Sequence, residues 1–146
     1  MAITSAICNS FKVEILKAEH NFTATTGNTF NLALYTSSAT LGASTTAYAS
    51  TNEITNTSGS AYSAKGKALT SVTPTLDSST AVCDFADVSW TSASFTANGC
   101  LIFNDSHSPD ASVCAVAFGG DKTVSSGTFT VQFPAAAATT AIVRIA

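Results

Sequence analysis

The chain has 146 residues, of which Ala, Ser and Thr supply 68, and only 10% are charged. An ordinary soluble domain carries about 25% charged residues, and so little charge with a mean hydropathy of +0.27 argues against disorder. The net charge is −3, and the six basic residues, Lys12, Lys17, Lys65, Lys67, Lys122 and Arg144, are scattered. A nucleic-acid partner is therefore not expected, because phosphate binding needs clustered cations.

No apolar run approaches the roughly 18 residues of a membrane span, so no membrane partner is expected. The first twenty residues interleave Asn, Ser, Lys and Glu with apolar positions, which is not the pattern of a secretory signal. Leu, Ile, Val and Phe together number 32, enough to fill one core, and one domain over 1–146 is the expectation. What is left for the surface is neutral Ser, Thr and Ala. A free monomer usually carries more charge for solubility, so the composition leans towards an assembly component.

In chain order, Ile7 to His20 reads as a short amphipathic helix. Asn9-Ser10 offers a cap, Phe11, Ile15 and Ala18 share a face with Ile7 one turn earlier, and charged residues occupy the other face. A helix this short does not persist alone and must dock on the body or on a neighbour. Residues 1–22 thus form an N-terminal arm and helix, and 28–146 the body.

From Phe30 the period changes to two. Phe30, Leu32 and Leu34 alternate with Asn31 and Ala33, as in a strand. Residues 36–65 form an irregular Ser/Thr/Ala/Gly excursion lying on the sheet, anchored by Tyr48, Ile54 and Tyr62, with room for a helical turn near Ala49–Glu53. Further strands are expected over Ala68–Pro74, Ala81–Trp90, Phe95–Phe103, Val113–Phe118, Gly127–Phe133 and Ala141–Ile145. Gly119-Gly120-Asp121-Lys122 reads as the turn before Gly127. About seven short strands with turn signals between them predict an all-β fold, an antiparallel β-sandwich of jelly-roll or immunoglobulin-like type.

Cys8, Cys83, Cys100 and Cys114 contain no CxxC or CxH pair, so a zinc site is unsupported. Three of them sit in apolar strand-like runs, and the expectation is four free core thiols. The sequons at Asn21, Asn56 and Asn104 are about as many as chance yields in a chain so rich in Ser and Thr.

Chemistry is thin. His20 falls at the end of the expected helix, where a cation complements the dipole. His107 lies in a polar loop with Asp105 and Asp110 whose spacing matches no calcium loop. Asp84 and Asp87, three apart on one expected strand, would point to opposite faces and could not flank one scissile bond. No GxSxG elbow, P-loop or HExxH occurs. No catalytic, cofactor-binding or metal-binding residue is assigned, and an enzyme is not expected.

Cys8-Asn9-Ser10-Phe11-Lys12-Val13-Glu14-Ile15-Leu16 and the block from Asn28 to Leu41 are followed by Asp84-Phe85-Ala86-Asp87-Val88-Ser89-Trp90, Ala93 to Ala97 and Gly127 to Val131. Together these blocks resemble a family of small tailed-phage virion proteins from phages of aquatic bacteria, cyanophages among them. The resemblance spans nearly the whole chain. It implies a virion structural protein, a head cement or decoration protein on the capsid surface. Its partners would be the major capsid protein and further copies of itself, as dimer or trimer, and it carries no catalytic residue over. The alternative is a tail or fibre module that recognises a host glycan, with Trp90, Tyr35, Tyr48 and Tyr62 as stacking platform.

Overall fold

A computed structural model describes residues 2–55 and 61–146. In chain order the elements are β1 (Ala6–Ile7), α1 (Asn9–Leu16), β2 (Phe30–Tyr35), β3 (Lys67–Ala68), β4 (Ser71–Asp77), β5 (Thr80–Phe85), β6 (Val88–Asn104), β7 (Ala111–Val131) and β8 (Val143–Ile145). They make a five-stranded sheet in the order β1-β7-β6-β2-β3 and a three-stranded sheet in the order β4-β5-β8. All ladders are antiparallel. The fold is an all-β sandwich with one short helix near its N-terminus, as the strand spacing predicts.

β2 shows how the layers arise. Its Phe30, Leu32 and Leu34 face the main core with Cys100 and Ile102 of β6 and Phe85 and Val143 of the small sheet. Its Ala33 and Tyr35 face the other way, into a second cluster with Leu101, Phe103, Ala115, Ile3 and Ala39. Both faces of β2 are therefore buried, where simple alternation predicts one. The second face is covered by the N-terminal arm and the 36–54 excursion. The excursion is tied down at three isolated bridges, Ile3 to Leu41, Tyr35 to Glu53 and Ala47 to Ala111. It does lie on the sheet; the part at 56–60, including the Asn56 sequon, is outside the described residues. Near Ala49–Glu53 there is no helical turn of any length, only one turn closed by Glu53 N–H to Ser50 O at 3.1 Å, with Asn52 at φ 61°.

The strand expected over Ala81–Trp90 is two strands in different sheets. β5 ends at Phe85, the chain crosses at Ala86–Asp87, and Val88 opens β6. The strands expected over Val113–Phe118 and Gly127–Phe133, by contrast, are joined in one. β7 runs unbroken through Gly119-Gly120, and the expected turn there is a wide bulge: between the pairs Ala97–Lys122 and Gly99–Ala117, four residues of β7 oppose Asn98 alone. The two glycines take φ 73° and 135°, the freedom a turn would also have used. The expected strand at 68–74 is displaced to β4, with β3 separate before it.

The helix is shorter than expected. Cys8, not Asn9-Ser10, is its N-cap, and it makes no side-chain capping bond. The helix ends at Leu16, and Ala18 at φ 60° turns the chain back. Phe11 alone of its residues is buried, while Ile15 is half-buried and Ala18 exposed. All four cysteines are free, Cys8, Cys100 and Cys114 buried and Cys83 half-buried.

Candidate interaction surface

The polar residues singled out in the sequence are used to hold the fold together. His20 does not cap the helix; it folds back beneath it. Its Nε2 lies 2.8 Å from Glu14 Oε2, and its Nδ1 accepts from Asn104 Nδ2 at 3.1 Å. Asn104 is oriented by the bond its Oδ1 accepts from Ser106 N–H, and its Nδ2 also reaches Asn28 Oδ1 and Glu19 O. Asn104 is fully buried, which removes its sequon from use.

His107 pairs with Glu19 Oε2 at 3.1 Å. Asp105 and Asp110 are bridged by Lys65, 2.9 Å from each, and this draws the Lys65 pKa upward. The β6–β7 loop is thus closed by a cation the chain supplies itself. Among the described residues no group of three His, Cys, Asp or Glu side chains is arranged to hold a metal. Asp84 accepts from Phe85 N–H at 2.8 Å, and Asp87, in the crossing between sheets, accepts from Phe133 N–H at 2.8 Å. They belong to different elements and do not share a site.

The aromatic residues do not form a platform. Trp90, Tyr35 and Tyr62 are each at most 1% exposed. The tyrosines converge instead on Glu53, a buried carboxylate that sequence reading missed. Tyr62 and Tyr48 donate to its two oxygens, each at 2.5 Å, and Tyr35 donates to Ala49 O close by. Burial and the adjacent carboxylate raise all three tyrosines, Tyr48 up to about 12. The one available signal was that Glu53 is the only glutamate after Glu19, in the same stretch as two of the chain's three tyrosines.

What remains for interaction is apolar surface. The exposed large hydrophobics among the described residues are Val13 and Leu16 on α1, Val72 and Leu76 on β4, and Ile145 on β8. None is on the five-stranded sheet. Leu76, Ala81 and Ile145 form one cross-strand row, since Ala81 opposes Leu76 on one side and Ile145 on the other. Ala81 and Ile145 of this row line a groove of about 400 Å³ together with Phe11 and Ile15 of the helix. Leu16, 88% exposed, stands on that helix at its last position. A second groove, about 570 Å³, runs along β7 between Phe118, Phe129, Val131 and Phe133, with Cys100 and Ile102 among its lining.

No helix among the described residues is long and apolar enough to cross a membrane. No protein-family model, curated protein or solved structure matches the chain significantly.

Proposed function

We propose that this chain is a non-enzymatic structural component of a tailed-phage particle, a cement protein that binds the outside of the head and holds neighbouring capsomers together. The observation that carries the reading is the placement of the exposed apolar side chains. Val13, Leu16, Val72, Leu76 and Ile145 all lie on α1 and the small sheet, in a chain with 10% charged residues. Surface of that kind favours permanent contact with a partner, here the major capsid protein. The wording of the sequence blocks from Cys8 to Leu16 and from Asn28 to Leu41 points the same way.

The helix contributes to docking without being separable from the body. Ile3, Cys8 and Phe11 are buried in the two clusters, so removing residues 1–20 would damage the fold along with any docking. Leu16→Glu is the cleaner probe. It places a charge on an exposed position and is expected to abolish binding to purified heads while leaving the unfolding transition unchanged. Undiminished binding by this variant would remove the helix from the interface. Copy number per particle, measured against the major capsid protein, tests the reading as a whole. A simple fraction of the capsid lattice supports cement; a ratio about a hundredfold lower assigns the chain to the tail.

A further inference from the structure

The sheet edges of this molecule are unequal. β1 and β3 are two residues long and β8 three, with Arg144 at its centre. β4 is interrupted by Pro74 and by a register shift between Val72 and Thr75. Short strands, charge, proline and bulges are the devices that keep an edge from pairing. β7 carries them around its middle, in the bulge at 118–121 and in Asp121 and Lys122, but not in its last part. β1 covers it only at Cys114 and Ala115, and from Val116 to Val131 no residue of β7 is buried. Between Thr123 and Phe133 there is neither charge nor proline.

Within this edge one segment is straight. The last register shift against β6 lies between Ala93 and Trp90, where Thr91 and Ser92 of β6 oppose Thr128 alone, so the extra residue belongs to β6 and not to β7. β7 itself ends at Val131, and Gln132 and Phe133 carry the chain on from it to Pro134. The stretch 127–133 has Thr130 at its midpoint. Its backbone direction follows from two contacts. Phe133 N–H turns inward to Asp87, and the carbonyl of Ser89, the cross-strand partner of Thr130, turns away from β7 to accept from Lys67 Nζ. By alternation the N–H and C=O groups of Thr128, Thr130 and Gln132 point to the open edge. Phe129, Val131 and Phe133 place their side chains in the 570 Å³ groove beside it.

We propose that a second copy of this chain pairs with this edge, antiparallel, about a twofold axis at Thr130. Among the described residues no other edge of the chain is long and unblocked, so β7 of one copy can meet only β7 of another. Like edges meet about a twofold, which closes the assembly at a dimer. In that register Thr130 opposes Thr130, Thr128 opposes Gln132, and about six backbone hydrogen bonds form. On the groove side Phe129 faces Val131 and Phe133 lies over Gly127, twice each, so apolar meets apolar and an aromatic covers a glycine. No charge opposes a like charge. The inference gives a surface and register to the self-association in the cement reading but rests on the edge geometry alone; the dimer is measured without capsids, and either can fail without the other.

The experiment is sedimentation of the isolated full chain over a dilution series, with amide exchange at low and high concentration. The expected mass is twice 14.8 kDa at high concentration, with slowed exchange at Thr128, Thr130 and Gln132 in the dimer alone. Thr130→Lys puts two ammonium groups face to face on the axis and is expected to weaken association by on the order of tenfold or more. Thr130→Pro removes a central edge N–H and is expected to do the same. Thr123→Lys, which loses a comparable surface hydroxyl pair with Thr96 outside the paired stretch, is expected to leave the dimer intact. A wild-type chain that stays at 14.8 kDa, a dimer indifferent to Thr130→Lys, or one broken equally by Thr123→Lys would each overturn the proposal.

Discussion

The hydroxyl of Tyr62 accepts the N–H of Leu34 at 3.0 Å and donates to Glu53 Oε1 at 2.5 Å, so one oxygen joins β2 to the excursion that covers it. Tyr62 is fully buried and Glu53 nearly so. A carboxylate in that position has exchanged water for two phenolic donors. Taking one away leaves a buried acceptor short of a partner, the costly side of hydrogen-bond deletion.

Tyr62→Phe is therefore expected to destabilise the chain by about 1–3 kcal/mol in urea unfolding, followed by fluorescence of the single buried tryptophan, Trp90. Glu53→Gln retains one acceptor oxygen and should cost less than Glu53→Ala. The double variant Tyr62→Phe, Glu53→Gln should be less destabilised than the sum of its parts, because the two act through one bond. Strict additivity would show that the pair is not coupled.

Gly99 sits where β6 passes beneath the N-terminal arm. A Cβ there would lie 2.6 Å from Val116 O and within 2.9 Å of two Ile3 side-chain carbons. The carbonyl belongs to the neighbouring strand and cannot move aside alone. Gly99→Ala should cost about 1–3 kcal/mol, as overpacking does. At Gly42 the nearest atoms to a Cβ are at 3.8 Å, and Gly42→Ala should stay within about 0.5 kcal/mol of wild type. Gly99→Ala combined with Ile3→Ala relieves the side-chain clash but not the carbonyl one, so only partial recovery is expected.

The parts of the fold that were legible in the sequence are those fixed by local pattern. Phe30, Leu32 and Leu34 announce β2 because the side-chain period of a strand is two. The crossing at Ala86–Asp87 was not legible. Phe85 of β5 and Val88 and Trp90 of β6 face the same main core from opposite sheets, and no Gly or Pro between them marks the crossing. Gly119-Gly120 reads as a turn and is instead a wide bulge, since the bulge uses the same positive-φ freedom of glycine. Glu53 was missed because its partners, Tyr48 and Tyr62, are joined to it only by the tertiary fold, and the open edge of β7 because strand order is not written in any one strand.

The thiols make stability pH-dependent in a definite direction. Burial pushes Cys83 up to about 11 and Cys100 up to about 12, and raises Cys8 and Cys114 as well, from an ordinary value of 9.0. A group whose folded pKa is raised favours the folded state fully below its unfolded pKa, and that contribution is lost as pH climbs through the folded value. The urea midpoint should thus hold steady up to about pH 9 and fall between there and pH 12. Tyr48, raised to about 12, adds to the upper end of the same window. Cys100→Ala should flatten the slope even though it lowers the plateau. A midpoint that rises over this window would contradict the burial of these groups.

The same protonation keeps the thiols unreactive at neutral pH. A thiol reagent acts on the thiolate, and Cys100 and Cys114 are both buried and raised. Without reductant, all four cysteines should titrate in denaturant, since all four are free. In the native protein Cys83, half-buried at the wall of the groove beside α1, should react first. Fewer than four titratable thiols in denaturant would mean that a disulfide forms.

The helix separates stability from docking within two turns. Phe11 packs against His20, at 4.9 Å between ring centroids, and against Phe22, and it is 3% exposed. Phe11→Ala should cost about 3–5 kcal/mol. Leu16, five residues later, is 88% exposed and contributes little to the core, so Leu16→Ala should change stability by no more than about 0.5 kcal/mol. Leucine there serves the helix by its propensity alone, and its exposed apolar side chain is free to meet a partner. The two variants, compared in urea unfolding and in binding to purified heads, should therefore diverge: Phe11→Ala loses stability, and Leu16→Ala loses affinity with its stability intact. Equal loss of stability in both would place Leu16 in the core and remove the helix from the proposed docking face.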